Sequence, residues 1–194
     1  MNRISHSRRH LVLGGLAAGA LPLSAFAQTA PAASRTPDVI FVPTPEDVID
    51  EMFKLTKVTG KDILYDLGSG DGRIPITAAK RYGTRGLGVD IDPQRIKEAN
   101  ENAQKAGVTD KVKFVLGDLF EMDLSPATVI TLYLLPTLNV KLRPKLLKLK
   151  PGTRIVSHEF DMGDWKPNQS VKVGARNVHF WTVPAGGNYP KIAK

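Results

Sequence analysis

The sequence predicts an α/β fold with a doubly wound, mostly parallel sheet of seven strands that ends in an antiparallel hairpin. Three observations support this fold class. Short apolar runs alternate with helical segments along residues 62–158, a pattern typical of parallel strands joined by crossover helices. The run at residues 128–134 is apolar or β-branched almost throughout, as expected for a central strand covered on both faces. Two further runs, 170–173 and 178–183, flank residues 174–177 and predict the hairpin.

A helix is predicted at the start of the folded domain. Thr44 is placed to cap it, Pro45 suits its first position, and two acids follow. Proline at the first position and acids in the first turn both favour a helix N-terminus. The apolar face of this helix consists of Val48, Ile49, Met52, Phe53 and Leu55.

Two strand–loop–helix units follow. The strands are predicted at residues 62–67 and 86–90, the helices at 74–81 and 92–106, and a third strand at 112–116. Gly83 and Gly107 come directly after the two helices, where glycine commonly ends a helix. Asp92 and Pro93 form a typical helix start.

The second half of the sheet is predicted from residue 128 onward. The central strand is followed by a lysine-rich helix at 138–149 and a fifth strand at 153–158. The hairpin strands then complete the seven. This alternation predicts a Rossmann-like architecture.

The N-terminal residues predict an export signal. Residues 1–27 combine a basic start, an apolar run and a small-x-small triplet, which are the parts of a cleavable signal peptide. Arg8 and Arg9 precede the apolar run and resemble a twin-arginine signal. The apolar run is shorter than the roughly 20 residues of a membrane-spanning helix, so no stable membrane insertion is expected after cleavage, and an uncleaved anchor is the alternative.

Domain boundaries follow from composition. Residues 28–38 are rich in Ala, Pro, Ser and Thr and predict a flexible leader. The folded domain is predicted at residues 39–185, with a tail at 186–194. We expect the mature protein to be periplasmic.

Charge and cysteine content exclude several classes of function. The formal net charge is +8, but Arg3, Arg8 and Arg9 belong to the acid-free start of the chain. The remaining basic excess predicts no nucleic-acid partner. A basic run at 141–150 is interpreted as a solvated helix face. The absence of cysteine excludes disulfides, zinc–cysteine sites and a cysteine nucleophile, and no metal site is predicted.

The segment Asp66-Leu67-Gly68-Ser69-Gly70-Asp71-Gly72-Arg73 joins the first strand to the following helix. Glycines here permit positive φ angles and close approach of a ligand to the backbone. The spacing is GxGxG rather than GxGxxG, which disfavours a dinucleotide. No Lys-Ser or Lys-Thr pair completes a P-loop, and the two aspartates would repel phosphates.

Acids also follow the second and third strands. Asp90 ends the second strand, where a carboxylate can accept hydrogen bonds from two ribose hydroxyls. Asp118 follows the third strand. A single acid after a strand more often serves a local turn or cap, but acids after three strands in register indicate a ligand site.

In order and spacing, three segments resemble the motifs of the class I S-adenosylmethionine-dependent methyltransferases: DLGSGDGR at 66–73, VDID at 89–92 and GDLF at 117–120. The resemblance implies that the chain is an enzyme that uses S-adenosylmethionine. It implies that Asp66, Gly68 and Gly70 hold the methionine end and that Ser69 also binds the cofactor. It also implies that Asp90 binds the ribose, that Ile91 packs on the adenine, and that Asp118 and Leu119 face the adenine amine and ring.

A closer resemblance to one family comes from two further segments, Phe41-Val42-Pro43-Thr44 and Leu134-Leu135-Pro136. They are similar to the protein-lysine methyltransferases that act on mitochondrial carrier and ATP synthase subunits. That family usually has glutamate at the position of Asp90 and lacks an export signal. The resemblance implies methylation of a nitrogen, with a protein lysine as the favoured acceptor.

The residues that would meet the acceptor are predicted at the ends of the fourth and fifth strands. They are Tyr133, Pro136, His158 and Glu159. A tyrosine in an apolar strand is more often a core residue, and His158 is more often a structural hydrogen-bonding residue than a base. No catalytic base is assigned, because a sulfonium methyl is already activated and alignment supplies most of the catalysis. Two alternatives stay open: an exported, non-catalytic binder of S-adenosylmethionine or a related nucleoside, and, less favoured, a dehydrogenase-like protein.

Overall fold

The structure is a computed structural model that describes residues 40–185. The predicted signal peptide (1–27), leader (28–38) and tail (186–194) lie outside the described residues. The elements are α1 (Glu46–Thr56), β1 (Ile63–Leu67), α2 (Arg73–Tyr82), β2 (Arg85–Asp90), α3 (Pro93–Ala106), β3 (Val112–Leu116), β4 (Val129–Leu132), α4 (Pro136–Leu146), β5 (Arg154–His158), β6 (Gln169–Val173) and β7 (Arg176–Thr182).

The seven strands form one sheet in the order β3-β2-β1-β4-β5-β7-β6. Strands β1 to β5 are parallel, whereas β7 is antiparallel to both β5 and β6. The predicted Rossmann-like fold with a C-terminal antiparallel hairpin is confirmed. The chain runs outward from β1 to β3 and then returns to place β4 on the other side of β1, so a crevice opens at the carboxyl ends of the strands.

The central strand is shorter than predicted. All four residues of β4 are buried, as expected for a strand between β1 and β5, but it ends at Leu132. Leu132 forms the last pair of both of its ladders, with Leu67 of β1 and with Ser157 of β5. Beyond Leu67 the chain turns into the glycine loop and no longer offers β1 as a partner, so Tyr133 leaves the sheet at the crevice.

The start of α1 differs from the prediction. Pro45 rather than Thr44 is the N-cap, and no side chain caps the helix. The hydroxyl oxygen of Thr44 lies 3.3 Å from Nδ1 of His158 instead. A tertiary partner has therefore replaced the local capping bond, whereas the predicted apolar face packs against β5 and β7 with Leu55 at its edge.

The basic helix α4 also departs from the prediction. It begins at Pro136, which suits a first helical turn, and ends at Leu146. Its Arg143 is buried and donates from Nη1 to the carbonyl of Met162 at 2.8 Å. The interpretation of this run as a solvated face is therefore wrong at Arg143.

The hairpin turn is tighter than the predicted loop. Val173 pairs with Arg176, so only Gly174 and Ala175 form the turn. Behind it, the fully buried Trp181 donates from its indole nitrogen to the carbonyl of Trp165 at 2.8 Å. This bond satisfies the only polar atom of a large core side chain. Between residues 40 and 185, no helix has the length and apolar character needed to cross a membrane.

Candidate functional site

A cavity of about 410 Å³ opens at the carboxyl ends of β1 to β4. Such a volume falls within the roughly 300–1,000 Å³ of small-molecule sites. Loops after all four strands contribute to its wall, together with the segment 40–44 ahead of α1. The cavity therefore lies where the topology predicts a ligand.

The glycine loop has the backbone conformation that its sequence predicts. Gly68, Gly70 and Gly72 have φ angles of +80°, +52° and +78°, a region that residues with a Cβ rarely adopt. The amides of Gly68 and Ser69 donate to the carbonyl of Val89 at 2.9 and 3.0 Å. The loop is thus tied to the end of β2.

Asp90 strengthens the same junction. One carboxylate oxygen accepts the Gly70 amide at 2.8 Å, and the other accepts the Asp92 amide at 3.0 Å. A carboxylate oxygen can accept two hydrogen bonds. Because Asp90 lines the cavity, its carboxylate can hold the loop and still accept both hydroxyls of a ribose.

Asp66 is a buried acid in the wall of the cavity. The hydroxyl of Thr131 donates to its Oδ1 at 2.6 Å. Burial raises the pKa of Asp66 to about 7; the Thr131 hydrogen bond lowers this pKa, and the nearby carboxylates of Asp90 and Asp71 raise it. A positively charged ligand group would favour the ionised form of Asp66.

Asp118 serves the loop after β3. Its Oδ1 accepts the amide of Phe120 at 2.9 Å, so the local turn role applies to one carboxylate oxygen. The structure gives the other oxygen no hydrogen-bond partner between residues 40 and 185. Asp118 and Leu119 both line the cavity.

Phe41 lies against the glycine loop, a contact that the sequence did not predict. A Cβ added to Gly70 would lie 2.2 Å from Cε2 of Phe41. The guanidinium carbon of Arg95 lies 4.8 Å from the Phe41 ring centroid, within the range of a cation–π contact. Phe41 therefore holds the segment 40–44 against the loop after β1 and against the first turn of α3.

Arg73 makes a second attachment of this segment. It donates to the carbonyl of Thr44 at 3.1 Å and pairs with Asp71 at 2.7 Å. The Asp71 side chain raises the pKa of Arg73, which stays a cation at any physiological pH. Thr44 is thereby connected to the glycine loop as well as to β5.

The charges of the cavity suit a cationic ligand. Five aspartates line it, namely Asp66, Asp71, Asp90, Asp92 and Asp118. Its two arginines are engaged: Arg73 with Asp71, and Arg95 with Asp92 at 3.7 Å. The other three carboxyls have no cationic partner in the described part of the chain. A ligand with ammonium or sulfonium charge fits this balance, and a phosphate does not.

Tyr133 and His158 stack at the ends of the adjacent strands β4 and β5. Their ring centroids are 3.9 Å apart, with 38° between the ring planes. Tyr133 lines the cavity, as does Thr44, whereas His158 lies outside its lining. Burial lowers the pKa of His158 to about 4, so the imidazole is neutral at neutral pH.

Pro136 and Glu159 take no part in the cavity wall. Pro136 starts α4. Glu159 has a φ of +67° and both of its carboxylate oxygens accept from Asn177, at 3.1 Å each. These contacts turn Glu159 toward the hairpin and give it a structural role.

The structure brings together seven of the eight predicted binding residues. They are Asp66, Gly68, Ser69, Asp90, Ile91, Asp118 and Leu119. Gly70 is not part of the lining, because Phe41 covers it. The contributions of Phe41, Arg73 and Arg95 were not predicted from the sequence, because they arise from contacts between distant segments.

The chain is similar in sequence to known methyltransferases. Residues 66–169 match the model of a family described as ANTKMT methyltransferase domain. A protein-lysine N-methyltransferase from Saccharolobus islandicus (strain REY15A) is 50% identical over 148 residues, which are 75% of this chain and 92% of the relative. The adenine nucleotide translocase lysine N-methyltransferase of Mus musculus is 32% identical over 132 residues, 67% of this chain and 56% of the relative.

A solved structure of another methyltransferase has a similar sequence identity to this chain. It is an RNA methyltransferase from Salinibacter ruber in complex with S-adenosyl-L-homocysteine, 55% identical, with a TM-score of 0.73 and coverage of 75% of this chain and 95% of the other. The names of these similar proteins agree on methyl transfer and differ on the acceptor.

Proposed function

Because this chain belongs to the ANTKMT methyltransferase domain family, we propose that it methylates the side-chain nitrogen of a protein lysine. The chain is a class I S-adenosylmethionine-dependent methyltransferase. The lysine acceptor is supported above all by the 50% identity to a protein-lysine N-methyltransferase over 92% of that relative.

The residues that line the cavity suit S-adenosylmethionine. Gly68 brings its backbone to the ligand without a Cβ, and Ser69 carries a buried hydroxyl with no hydrogen-bond partner among residues 40–185. We propose that Asp66 faces the methionine ammonium, that Asp90 binds the ribose beside Ile91, and that Asp118 and Leu119 contact the adenine. When bound, the cofactor supplies an activated methyl group.

The transfer requires little acid–base chemistry from the protein. The neutral lysine nitrogen forms a bond to the methyl carbon, the carbon–sulfur bond breaks with its electron pair going to sulfur, and the amine releases one proton to solvent. The chain's task is to hold the nitrogen in line and to exclude water. A neutral His158 suits this task, because it puts no positive charge beside the incoming amine.

The acceptor proposal is tested by labelling. The purified protein is incubated with radiolabelled S-adenosylmethionine and periplasmic or membrane extract, and samples are then treated with protease or with ribonuclease. We expect the label in protease-sensitive material and methyl-lysine on peptide mass spectrometry. Label lost on ribonuclease treatment would contradict the lysine acceptor.

RNA is the second candidate acceptor, because the Salinibacter ruber protein is named an RNA methyltransferase. The surface charge does not favour it. Six of the 27 basic and one of the 19 acidic residues lie outside residues 40–185, which therefore carry a net charge of only +3. RNA binding usually uses a strongly basic surface. On α4, Lys141 and Lys145 are engaged by the ring and the carbonyl of Phe120.

We also propose that the protein is exported to the periplasm in folded form. The twin arginines and short apolar run within residues 1–27 support this. Export of the folded protein would carry one bound cofactor and allow a single turnover. In cell fractionation, the double variant Arg8→Lys/Arg9→Lys should stay in the cytoplasm and Arg3→Lys should behave as wild type. Equal periplasmic recovery of all three would contradict this route.

A further inference from the structure

We infer that the Tyr133 hydroxyl orients the acceptor nitrogen at the transfer site, with Thr44 and His158 as positioning residues that hold the Tyr133 ring. The inference rests on the proposed nitrogen acceptor and adds residues to it. It stands on the stacked rings, on the Thr44–His158 hydrogen bond and on the composition of the cavity wall.

Tyr133 is placed at the transfer end of the cavity by the sheet. It comes directly after Leu132, which pairs with Ser157 of the parallel strand β5. The next residues along the two strands are therefore Tyr133 and His158. Their side chains stack at 3.9 Å between centroids. The Tyr133 ring is therefore fixed on one side by a buried imidazole while the residue lines the cavity.

Thr44 fixes the imidazole in turn. Its hydroxyl oxygen lies 3.3 Å from Nδ1 of His158, and its carbonyl accepts from Arg73 at 3.1 Å. His158 is only 1% exposed and its Nε2 has no partner among the described residues. A neutral imidazole of such low basicity does not take a proton from the acceptor, so its contribution is to position the stacked ring.

An incoming amine needs a hydrogen-bond acceptor at this place. Its lone pair must face the methyl group, so its N–H bonds must point elsewhere. Next to Tyr133 the cavity is lined by Leu134 and Leu138, which offer no polar side-chain atom, and by Thr44, whose hydroxyl lies against Nδ1 of His158. The Tyr133 hydroxyl has no hydrogen-bond partner between residues 40 and 185 and can accept an N–H.

Tyr133→Phe tests the inference without depending on the acceptor's identity. The probes are S-adenosyl-L-homocysteine and sinefungin, an analogue that carries an amine at the position of the transferred methyl. We expect Tyr133→Phe to change the Kd of S-adenosyl-L-homocysteine by less than about twofold. The same variant should weaken sinefungin binding by about five- to tenfold, the effect of one lost hydrogen bond. Tyr82→Phe, at an exposed tyrosine of α2, is the control.

Thr44 variants test the positioning role. Thr44→Val should weaken sinefungin in the same direction by a smaller factor, and Thr44→Ser, which keeps the hydroxyl, should restore wild-type binding. With a lysine peptide that the wild type methylates as substrate, Tyr133→Phe should lower kcat by about tenfold while KM changes less.

Two results would overturn the inference. One is a Tyr133→Phe variant in which the ratio of the two Kd values is unchanged. The other is a Tyr133→Phe variant that binds both ligands more weakly by the same factor and is also less thermally stable. A wild-type protein that methylates no lysine would refute only the proposed acceptor, because the sinefungin ratio reports on Tyr133 independently.

Discussion

The carboxylate of Asp90 accepts the backbone amide of Gly70 at 2.8 Å, so the acid proposed to bind the ribose also holds the glycine loop in place. The two residues are 20 positions apart: Gly70 lies in the loop after β1, and Asp90 is the last residue of the neighbouring parallel strand β2. Ligand binding and loop structure therefore depend on the same side chain.

Replacing Asp90 should weaken cofactor binding. Asp90→Ala removes acceptors for the ribose hydroxyls and leaves the Gly70 amide without its partner, so we expect a loss of roughly 1–3 kcal/mol in binding free energy. Isothermal titration calorimetry with S-adenosyl-L-homocysteine measures it. Asp110→Ala, at an exposed acid away from the cavity, is the matched control. Equal affinity of the two variants would refute the assignment.

The raised pKa of Asp66 predicts how stability depends on pH. Its folded pKa of about 7 lies above its ordinary value of 3.8, so the folded state holds the proton more tightly than the unfolded chain. The unliganded protein should therefore lose stability as pH rises from 4 to 7, with a slope of up to about 1.4 kcal/mol per pH unit from this group. Denaturant unfolding across this range measures the slope.

Asp66→Asn is the matching variant for that measurement. It cannot titrate, so its stability should vary less between pH 4 and 7 than that of the wild type. Thr131→Val removes the hydrogen bond that lowers the Asp66 pKa and should extend the decline to higher pH. Parallel pH profiles for wild type and Asp66→Asn would contradict the prediction.

Gly70→Ala should cost more than a strained backbone alone. The alanine would have to adopt a positive φ, and its Cβ would lie 2.2 Å from the Phe41 ring. Gly107→Ala is at a similar φ of +68°, but nothing lies within 4 Å of its Cβ. The control should lose roughly 1–2 kcal/mol of stability, the cost of a Cβ in the left-handed region, and keep its cofactor affinity. Gly70→Ala should lose more stability and also weaken the cofactor, as measured by thermal unfolding and calorimetry.

A double variant separates the two costs at Gly70. Phe41→Ala removes the ring, so Gly70→Ala should be less destabilising in that background than in the wild type. The interaction energy of this cycle reports the clash. Strict additivity of the two substitutions would mean that Phe41 does not press on the loop.

Asn139 should stabilise the chain that follows β5 without affecting the cofactor. Its side-chain amide donates to the carbonyls of Phe160 and Asp161 at 3.1 and 3.3 Å from a fully buried position. Asn139→Ala leaves these carbonyls unpaired and should cost about 1–3 kcal/mol of unfolding free energy. Asn100→Ala, at an exposed helix position, is the control. A higher Kd for S-adenosyl-L-homocysteine in Asn139→Ala would show that the effect reaches the cofactor site.

Local pattern sufficed for most of the fold. The period of the apolar residues, Gly83 and Gly107 at helix ends, and Asp92-Pro93 at a helix start are determined within a few neighbouring residues, which is why those elements were predicted closely. The pattern failed where a distant partner competes with a local one. Thr44 is the clearest example, since its hydroxyl contacts His158 rather than capping α1.

The sequence by itself determined the fold class, the glycine loop and the acids that follow three strands, because parallel strands bring their carboxyl ends to one edge of the sheet. Only the tertiary structure decided which side chains surround that edge. Phe41 over Gly70, Arg73 on Thr44 and His158 behind Tyr133 are contacts between segments far apart in the chain. Their geometry depends on how the helices and loops pack, which no local pattern of residues encodes.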